Sequence, residues 1–302
     1  MTAASCNQPA AFHPRFHIHY PEEIELKTPQ RIAIIGYGAV AQAVLRHLAP
    51  YRAAGGKDGK SVEVLAVLLR SGWEAKPRAE AAIPVPFIDD LGKLIALKPD
   101  LVLECAGQAA VKQYAEAIAA AGIDLLTISM GAFADAGFHA KVSAAALASG
   151  AQIIIPAGAV GALDVLAAVR HDGIGSVTFR STKPPKAWMG TAAEKVVDLA
   201  NVTSPVCFFN GDARAAVSAY PQNANVAAAV ALAGAGFEKT KIELVADPAA
   251  AGNLNEIVAE GPFGKFEIRQ LGKTRPEAPR TSISAPLSIV RAVLNRGSGL
   301  VV

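Results

Sequence analysis

Residues 31–46 read Arg31-Ile-Ala-Ile-Ile-Gly-Tyr-Gly-Ala-Val-Ala-Gln-Ala-Val-Leu-Arg46, an apolar run followed by a glycine-rich turn and an alanine-rich segment. The run Ile32 to Ile35 is too short and too rich in β-branched side chains for a helix, so it predicts a strand. Gly36 predicts a tight turn that needs a residue without Cβ, and Gly38 would let a diphosphate approach the backbone closely. Ala41 is small enough to let the following helix pack on the strand.

This order of strand, turn and helix predicts a dinucleotide-binding site. The first turn of the helix would present unpaired N–H groups and the positive end of the helix dipole to the phosphates. A glycine-rich turn of this spacing also occurs as a purely structural feature, and that alternative stays open at this point. The motif carries no information about the substrate.

Composition excludes several functional classes. The chain has 302 residues, of which 52% are hydrophobic, enough for a sizeable core in one large or two modest domains. Its 29 basic and 26 acidic residues nearly balance, which favours neither nucleic acid nor a membrane surface as a partner. Apolar stretches such as Val226 to Phe237 are too short to span a bilayer.

The cysteines and the N-terminal residues bear on location and on metals. Cys6, Cys105 and Cys207 lack C-x-x-C spacing, and no secretory signal is evident, so we expect a protein of the reducing cytoplasm. Residues 1–30 contain three histidines, His13, His17 and His19, without acidic or cysteine ligands at a recognisable spacing. We interpret residues 1–30 as an extension and predict no metal site.

Apolar runs alternate with helical segments from residue 31 to about residue 155. This rhythm predicts an α/β fold, a Rossmann-type doubly wound parallel sheet over residues 31–158. Ligands of such sheets lie beyond the carboxyl ends of the strands. We therefore expect three turns around the nicotinamide half of a cofactor, namely Ala106-Gly107-Gln108, Met130-Gly131-Ala132 and Ala157-Gly158-Ala159.

Beyond Asp164 the rhythm changes to successive strand-like runs with few helices between them. This pattern predicts a second, α+β domain over residues 159–283 with a mostly antiparallel sheet, which would close the substrate crevice against the first domain. Helices are predicted at Thr191 to Ala200 and at Ala224 to Ala235. A C-terminal helix over residues 284–295 is expected to pack back on the first domain.

The residues after the second predicted strand bear on the choice of cofactor. NAD-preferring domains usually place Asp or Glu there, whereas this chain has Leu69-Arg70-Ser71. An arginine beside a hydroxyl suits a 2′-phosphate, so we expect NADP to be accepted as well as NAD. The alternative is that Arg70 is an ordinary surface arginine.

Several segments, in order along residues 31–295, resemble the L-aspartate dehydrogenase family. They are Glu104-Cys-Ala-Gly107, Ser129-Met-Gly-Ala-Phe-Ala-Asp135, Ile155-Pro-Ala-Gly-Ala-Val-Gly-Ala-Leu-Asp164, Thr182-Lys-Pro-Pro185, Tyr220-Pro-Gln-Asn-Ala-Asn-Val226, Val245-Ala-Asp-Pro248 and Arg280-Thr-Ser282. The resemblance implies a homodimeric NAD(P)-dependent enzyme that oxidises aspartate to iminoaspartate, which hydrolyses to oxaloacetate and ammonia, or that runs this chemistry in reverse. It also implies cofactor contacts at Ala159 and Asn225, although Asn225 could instead be only a helix N-cap.

One position departs from the family pattern. The catalytic histidine of the family lies in an Asn-x-His-Glu-Ile segment, and this chain reads Asn253-Leu-Asn255-Glu-Ile257. Asn255 can donate and accept hydrogen bonds but cannot take up a proton near neutral pH. Two alternatives to a full aspartate dehydrogenase therefore stay open, a cofactor-binding sensor or scaffold, and a reductive variant acting on another small amino or keto acid.

A substrate with two carboxylates needs cations or several hydrogen-bond donors in its pocket. Lys183, before two prolines, is the first candidate, and it is also a candidate catalytic residue, because slow turnover could proceed through solvent or a neighbouring lysine. Further candidate substrate contacts are Asn223, Arg280, Thr281 and Ser282. For Lys183 and Arg280, a solvated salt bridge is the alternative.

Overall fold

The computed structural model describes residues 29–52, 56–72, 84–221, 224–275 and 278–301. Its first half is a six-stranded sheet in the order β3-β2-β1-β4-β5-β6, and every neighbouring pair is parallel. The strands are β1 (Gln30–Ile35), β2 (Val62–Leu68), β3 (Phe87–Ile88), β4 (Leu101–Glu104), β5 (Asp124–Thr127) and β6 (Ile153–Ile154). This order confirms the predicted Rossmann-type sheet.

In the described ranges four α-helices connect these strands, and side-chain caps fix where two of them begin. They are α1 (Ala39–Leu48), α2 (Leu91–Ala96), α3 (Gln108–Ala120) and α4 (Ala136–Ser149). The Asp90 carboxylate accepts from the N–H of Lys93 at the start of α2, and Asp135 accepts from the N–H of Phe138 at the start of α4. α4 ends at Gly150, whose φ of 80° suits a residue without Cβ.

The second half of the chain forms a five-stranded sheet in the order β11-β10-β7-β9-β8. Its strands are β7 (Ser176–Lys183), β8 (Val206–Asp212), β9 (Thr240–Ala246), β10 (Asn253–Gly261) and β11 (Gly264–Gly272). β7 and β9 are parallel and the other neighbours are antiparallel, which confirms the predicted mostly antiparallel sheet. A separate two-stranded ribbon joins β12 (Thr274–Arg275) to β13 (Ala278–Ser282).

The helices of the second half are α5 (Leu163–Val169), α6 (Ala213–Ala219), α7 (Asn225–Ala233) and α8 (Ser284–Arg296). The helix predicted at Thr191 to Ala200 is wrong, because only a 3₁₀ turn, Ala192–Lys195, forms there. β-branched Val196 and Val197 follow it, and the Asp198 side chain accepts from the N–H of Ala200, which holds the backbone in a turn.

Two buried hydrophobic clusters among the described residues include side chains from both halves of the chain. Ile289 and Val293 of α8 belong to the same buried cluster as Ile32 of β1 and Val44 of α1, and α8 packs on α1 in the helix layer of the first sheet. Phe179 and other residues of the inner face of the second sheet share a core with the alanine-rich α7 and with β4. The inner face therefore looks toward the first sheet. The division at residues 158 and 159 stays a prediction.

Within the described ranges no helix is long and apolar enough to cross a membrane. The histidines of the predicted extension, His13, His17 and His19, lie outside the described residues. In the part of the chain that the structure covers, no group of three or more His, Cys, Asp or Glu side chains is arranged to hold a metal ion.

Candidate cofactor and substrate site

The glycine-rich turn after β1 leaves space for a ligand. Gly36 has φ of 88°, and a Cβ there would lie 2.7 Å from the Ala106 Cβ, so this turn packs directly on the turn after β4. A Cβ on Gly38, the N-cap of α1, would meet no atom within 4 Å. Ala41 lies in the first turn of α1 and is fully buried on its inner side. This open backbone at a helix N-terminus fits the diphosphate of a dinucleotide.

A buried carboxylate that the sequence did not single out shapes the turn after β4. Glu104 Oε1 accepts from the backbone N–H groups of Ala106 at 2.7 Å and Gly107 at 2.6 Å, and Oε2 accepts from the Thr127 hydroxyl at 2.7 Å. These N–H groups therefore point into the protein. The side of the turn that a ligand can reach is at Gly107, where φ is 126° and an added Cβ would meet no atom within 4 Å.

Cys105 lies between Glu104 and Ala106 in the turn after β4, and its thiol is held in the neutral form. Burial, and then the nearby Glu104 carboxylate, raise its pKa well above the ordinary value. Cys105 is therefore unsuited to act as a nucleophile.

Asn225 joins the second half of the chain to the carboxyl edge of the first sheet. Its Oδ1 accepts from the N–H of Gly131 at 3.1 Å and from Gln108 Nε2 at 3.1 Å. The N-cap alternative is wrong, because Ala224 is the N-cap of α7 and Asn225 is the first helical residue. Asn225 thus contacts two of the three turns that were predicted to surround the nicotinamide.

Asn255 ties the Ala159 turn to the inner face of the second sheet. It is 5% exposed and lies opposite Ser181, because β10 pairs with β7. Its Oδ1 accepts from the Ser181 hydroxyl at 3.1 Å, and its Nδ2 donates to the Ala159 carbonyl at 3.0 Å. On the other side of the turn, the N–H of Gly158 donates to Ser288 Oγ of α8 at 3.0 Å. The turn after β6 is therefore fixed from both sides.

Lys183 lies two positions after Ser181 on β7, so both side chains are on the inner face of the sheet. Its ammonium nitrogen is 4.6 Å from the centroid of the Trp188 ring, which is fully buried and donates Nε1–H to the Val245 carbonyl at 3.0 Å. Within the described ranges no carboxylate pairs with Lys183. Burial lowers the pKa of this ammonium to about 8.

The other predicted substrate residues lie around the ribbon formed by β12 and β13. Ser282 is buried, and its Oγ lies 2.9 Å from Ser284 Oγ at the start of α8. Thr281 is half-buried beside it. Arg280 belongs to β13, but its side chain, like the whole of Asn223, lies outside the described residues. The contact of Ser282 is thus with α8, and its substrate role stays a prediction.

Arg70 and Ser71 follow β2 and are exposed. Because β1 and β2 are parallel neighbours, these residues lie at the same edge of the sheet as the Gly36 turn. That is the edge at which the adenosine ribose of a dinucleotide is bound in such folds.

The first sheet is parallel and carries an open glycine turn, and the inner face of the second sheet meets the carboxyl edge of the first. These features place the protein among two-domain dehydrogenases that bind a nicotinamide dinucleotide. The family model "Aspartate dehydrogenase, C-terminal" matches residues 164–296, and "Homoserine dehydrogenase, NAD binding domain" matches residues 36–156. The L-aspartate dehydrogenase of Ruegeria pomeroyi is 42% identical over 89% of this chain and 94% of its own length. The chain belongs to the L-aspartate dehydrogenase family.

Further relatives agree with this assignment. L-aspartate dehydrogenase 1 of Bordetella pertussis is 38% identical over 90% of this chain and 98% of its own length. The crystal structure of aspartate dehydrogenase from Thermotoga maritima superposes with a TM-score of 0.69 at 25% identity, covering 91% of this chain and all of that one. The resemblance seen in the sequence is thereby confirmed, and the exchange of the family's catalytic histidine for Asn255 stays a prediction.

Proposed function

We propose that the protein is an NAD(P)-dependent oxidoreductase that interconverts L-aspartate and iminoaspartate, which exchanges with oxaloacetate and ammonia in water. One observation carries this proposal: a single crevice brings together the Ala159 turn, Asn255 and Lys183. Lys183 is half-buried there and has no carboxylate partner among the described residues. A dicarboxylate needs a cation in such a place. The relatives named L-aspartate dehydrogenase support the choice of substrate.

The proposed cofactor contacts follow the carboxyl edge of the first sheet. Gly36, Gly38 and Ala41 shape the diphosphate site, and the nicotinamide half lies against the turns that contain Ala106, Gly107, Ala159 and Asn225. The nicotinamide supplies the hydride acceptor when it is bound.

The proposed substrate site holds one carboxylate at Lys183. Asn223, Arg280, Thr281 and Ser282 are the proposed contacts for the remainder of the substrate. The order of these residues along the chain and their place in the family segments support this assignment.

The test is the purified protein with L-aspartate and either NAD or NADP, and in reverse with oxaloacetate, ammonia and either reduced cofactor. We expect a change in the absorbance of the reduced nicotinamide in both directions. A folded protein that binds the cofactor and gives no signal in either direction contradicts the proposal.

Arg70 and Ser71 lead us to propose that NADP is accepted along with NAD. Replacing Arg70 by Ala is expected to weaken NADPH binding by about tenfold, the loss of one charge-assisted contact, and to leave NADH binding unchanged. Calorimetric titration with both cofactors measures this. An equal loss for NADH and NADPH would show that Arg70 does not contact a 2′-phosphate.

A second candidate function is a cofactor-binding sensor or scaffold with little turnover, and the missing family histidine favours it. The substitution Asn255→His separates the two. A gain of orders of magnitude from a negligible rate supports the sensor, whereas little change supports a working site built around Asn255. A reductive variant acting on another small amino or keto acid is separated from both by a substrate panel with reduced cofactor.

We propose that the protein acts as a homodimer in the cytoplasm. The outer face of the second sheet carries Leu271, which is 57% exposed, beside the Arg269–Glu256 ion pair, and such a mixed surface suits a partner subunit. The molar mass in solution, measured by light scattering, tests the dimer. A monomer at micromolar concentration contradicts it.

A further inference from the structure

We propose that Lys183 carries the proton transfer of the reaction, and that Asn255 is a positioning residue which holds the Ala159 turn. This inference rests on the proposed function. Lys183 takes the place of the acid–base group that the family has at residue 255. The proton step thereby moves to a different strand, on the same face of the same sheet.

The hydrogen bonds of Asn255 leave it no part in proton transfer. Its Oδ1 is occupied by the Ser181 hydroxyl and its Nδ2 by the Ala159 carbonyl, and the side chain is almost fully buried. An amide has no proton to give or take near neutral pH. Acting on a substrate would take Asn255 from the part-buried Ala159 carbonyl and from the buried Ser181 hydroxyl, and losing these partners is costly.

Lys183 has the placement that proton transfer requires. It follows Ser181 on the inner face of β7, and Ser181 contacts Asn255, which contacts Ala159 at the carboxyl edge of the first sheet. The lysine is thus beside the crevice where the nicotinamide half is proposed to lie. Within the described part of the chain it has no carboxylate partner, so its ammonium is available to a substrate.

The surroundings of Lys183 act on its charge in opposite directions. Burial disfavours the ammonium, while the face of the Trp188 ring at 4.6 Å favours it. On the neighbouring strands, Ala246 of β9 is paired with Lys183, and Asn255 of β10 is paired with Ser181. Neither side chain is charged. Among the described residues, titratable groups on neighbouring segments are Asp247, whose N–H donates to the Lys183 carbonyl, the exposed Lys186, and Tyr220, which Phe208 separates from the Trp188 ring.

The step moves one proton and forms no bond to carbon at Lys183. In the oxidative direction, the neutral Nζ takes a proton from the α-ammonium of aspartate, which leaves an uncharged amine and a lysine ammonium. The ammonium formed in this step is then the cation that pairs with a substrate carboxylate. The uncharged amine can then lose hydride from Cα to the oxidised nicotinamide. In the reductive direction, the lysine ammonium returns the proton to the newly formed amine.

The experiment compares Lys183→Arg, Lys183→Met and wild type across pH in the oxidative direction. Arginine keeps the charge that binds a carboxylate but does not deprotonate in this range. We expect the wild-type kcat/KM to rise through about pH 8, where the neutral lysine forms. Lys183→Arg is expected to lose kcat by about a hundredfold or more with KM changed only a few-fold, and to lose the rise near pH 8. Lys186→Met, an exposed lysine in the next turn, is the matched control and keeps the wild-type profile.

Rescue distinguishes proton transfer from a structural role. Adding Asn255→His to Lys183→Arg supplies a base that titrates near pH ~6.5. We expect the double variant to regain about tenfold or more in kcat, with its rise moved toward that pH. Melting temperature and cofactor affinity, measured for every variant, show which proteins are folded.

The outcomes separate two kinds of failure. If Lys183→Arg keeps the wild-type kcat and pH profile, Lys183 only binds a carboxylate, and the inference is overturned while the proposed function stands. If folded wild-type protein binds the cofactor and does not turn over aspartate at any pH, the proposed function fails first. Loss of activity in Lys183→Arg without rescue by the histidine also overturns the proton-transfer role.

Discussion

Asn255 is a buried polar side chain, and its two hydrogen bonds compensate for the loss of contact with water. Replacing it by Ala leaves the Ala159 carbonyl and the Ser181 hydroxyl unpaired and should lower the free energy of unfolding by about 1–3 kcal/mol. Replacing it by Asp should cost more at neutral pH, because a carboxylate oxygen would then face a carbonyl oxygen. Urea unfolding measures both.

The Asn255→Asp variant should also recover stability as the pH falls, since a protonated carboxyl can donate to the Ala159 carbonyl. The pKa of the introduced carboxyl in the folded protein would be raised above that of the unfolded chain, so the folded state binds more protons. If Asn255→Asp is as stable as wild type at neutral pH, the bond to Ala159 does not form.

Lys183 gives a second prediction at this scale, and it concerns stability rather than activity. Its pKa is about 8 in the folded protein and 10.5 as the ordinary value, so the unfolded chain binds more protons between these pH values. Wild-type stability should therefore rise with pH across this window. Lys183→Met should be more stable than wild type by roughly 2 kcal/mol at neutral pH, and the difference should shrink as the pH rises toward the ordinary pKa of lysine. Thermal unfolding of both proteins measures it, and a constant difference across the window contradicts the lowered pKa.

Among single residues, the sequence identified as functional candidates those that lie in a recognisable segment of the chain. Lys183 and Asn255 lie in recognisable segments, and the structure brings both to the same crevice. Glu104 was quoted only as part of a segment. Its role depends on Thr127 of the next strand, and no local pattern reveals that contact. Its one local signal was a charge at the end of an apolar strand.

The turn between β1 and α1 gives a prediction at the scale of an element, because its two glycines have different roles. Gly36→Ala brings a Cβ to 2.7 Å from the Ala106 Cβ at a φ of 88°, and should cost about 2–4 kcal/mol of stability. Gly38→Ala adds a Cβ in open space, so the fold should be unchanged and dinucleotide affinity should fall about tenfold or more.

Urea unfolding and cofactor titration of both variants test this contrast. The two substitutions are chemically identical and lie two residues apart, so each is the control for the other. Unchanged cofactor affinity in a folded Gly38→Ala protein would mean that the diphosphate does not approach this backbone.

Elements were predicted well where the pattern is local. In the first half of the chain, an apolar run alternates with a periodic helix, and the sheet follows from that rhythm. The prediction was wrong at Thr191 to Ala200, where helix formers compete with β-branched Val196 and Val197 and a turn at Asp198. β8, α5 and α6 were missed because their short runs have no clear period of their own.

At the scale of the whole molecule, the pairing of strands that are distant in the chain could not be predicted from the sequence. The parallel pairing of β7 with β9 inside an otherwise antiparallel sheet brings together segments about sixty residues apart. The packing of α8 on the first sheet's layer was expected, and α8 also holds the Gly158 amide through Ser288. The last helix thus connects the end of the chain to both the first layer and the crevice.

This connection makes the molecule one cooperative unit and leads to a last prediction. Because α8 packs on α1, and Asn225 and Asn255 tie the second half to the edge of the first sheet, we expect the two halves to unfold together. We expect a single thermal transition. A cofactor at about a hundred times its Kd adds about 2.7 kcal/mol, which should raise the melting temperature of the whole chain by about 4 °C. Calorimetry of wild type and Gly38→Ala, with and without NADPH, measures this: the variant should keep the transition and lose most of the shift.

Two separate transitions, of which only one moves with the cofactor, would contradict the coupling of the halves through α8 and the two asparagines.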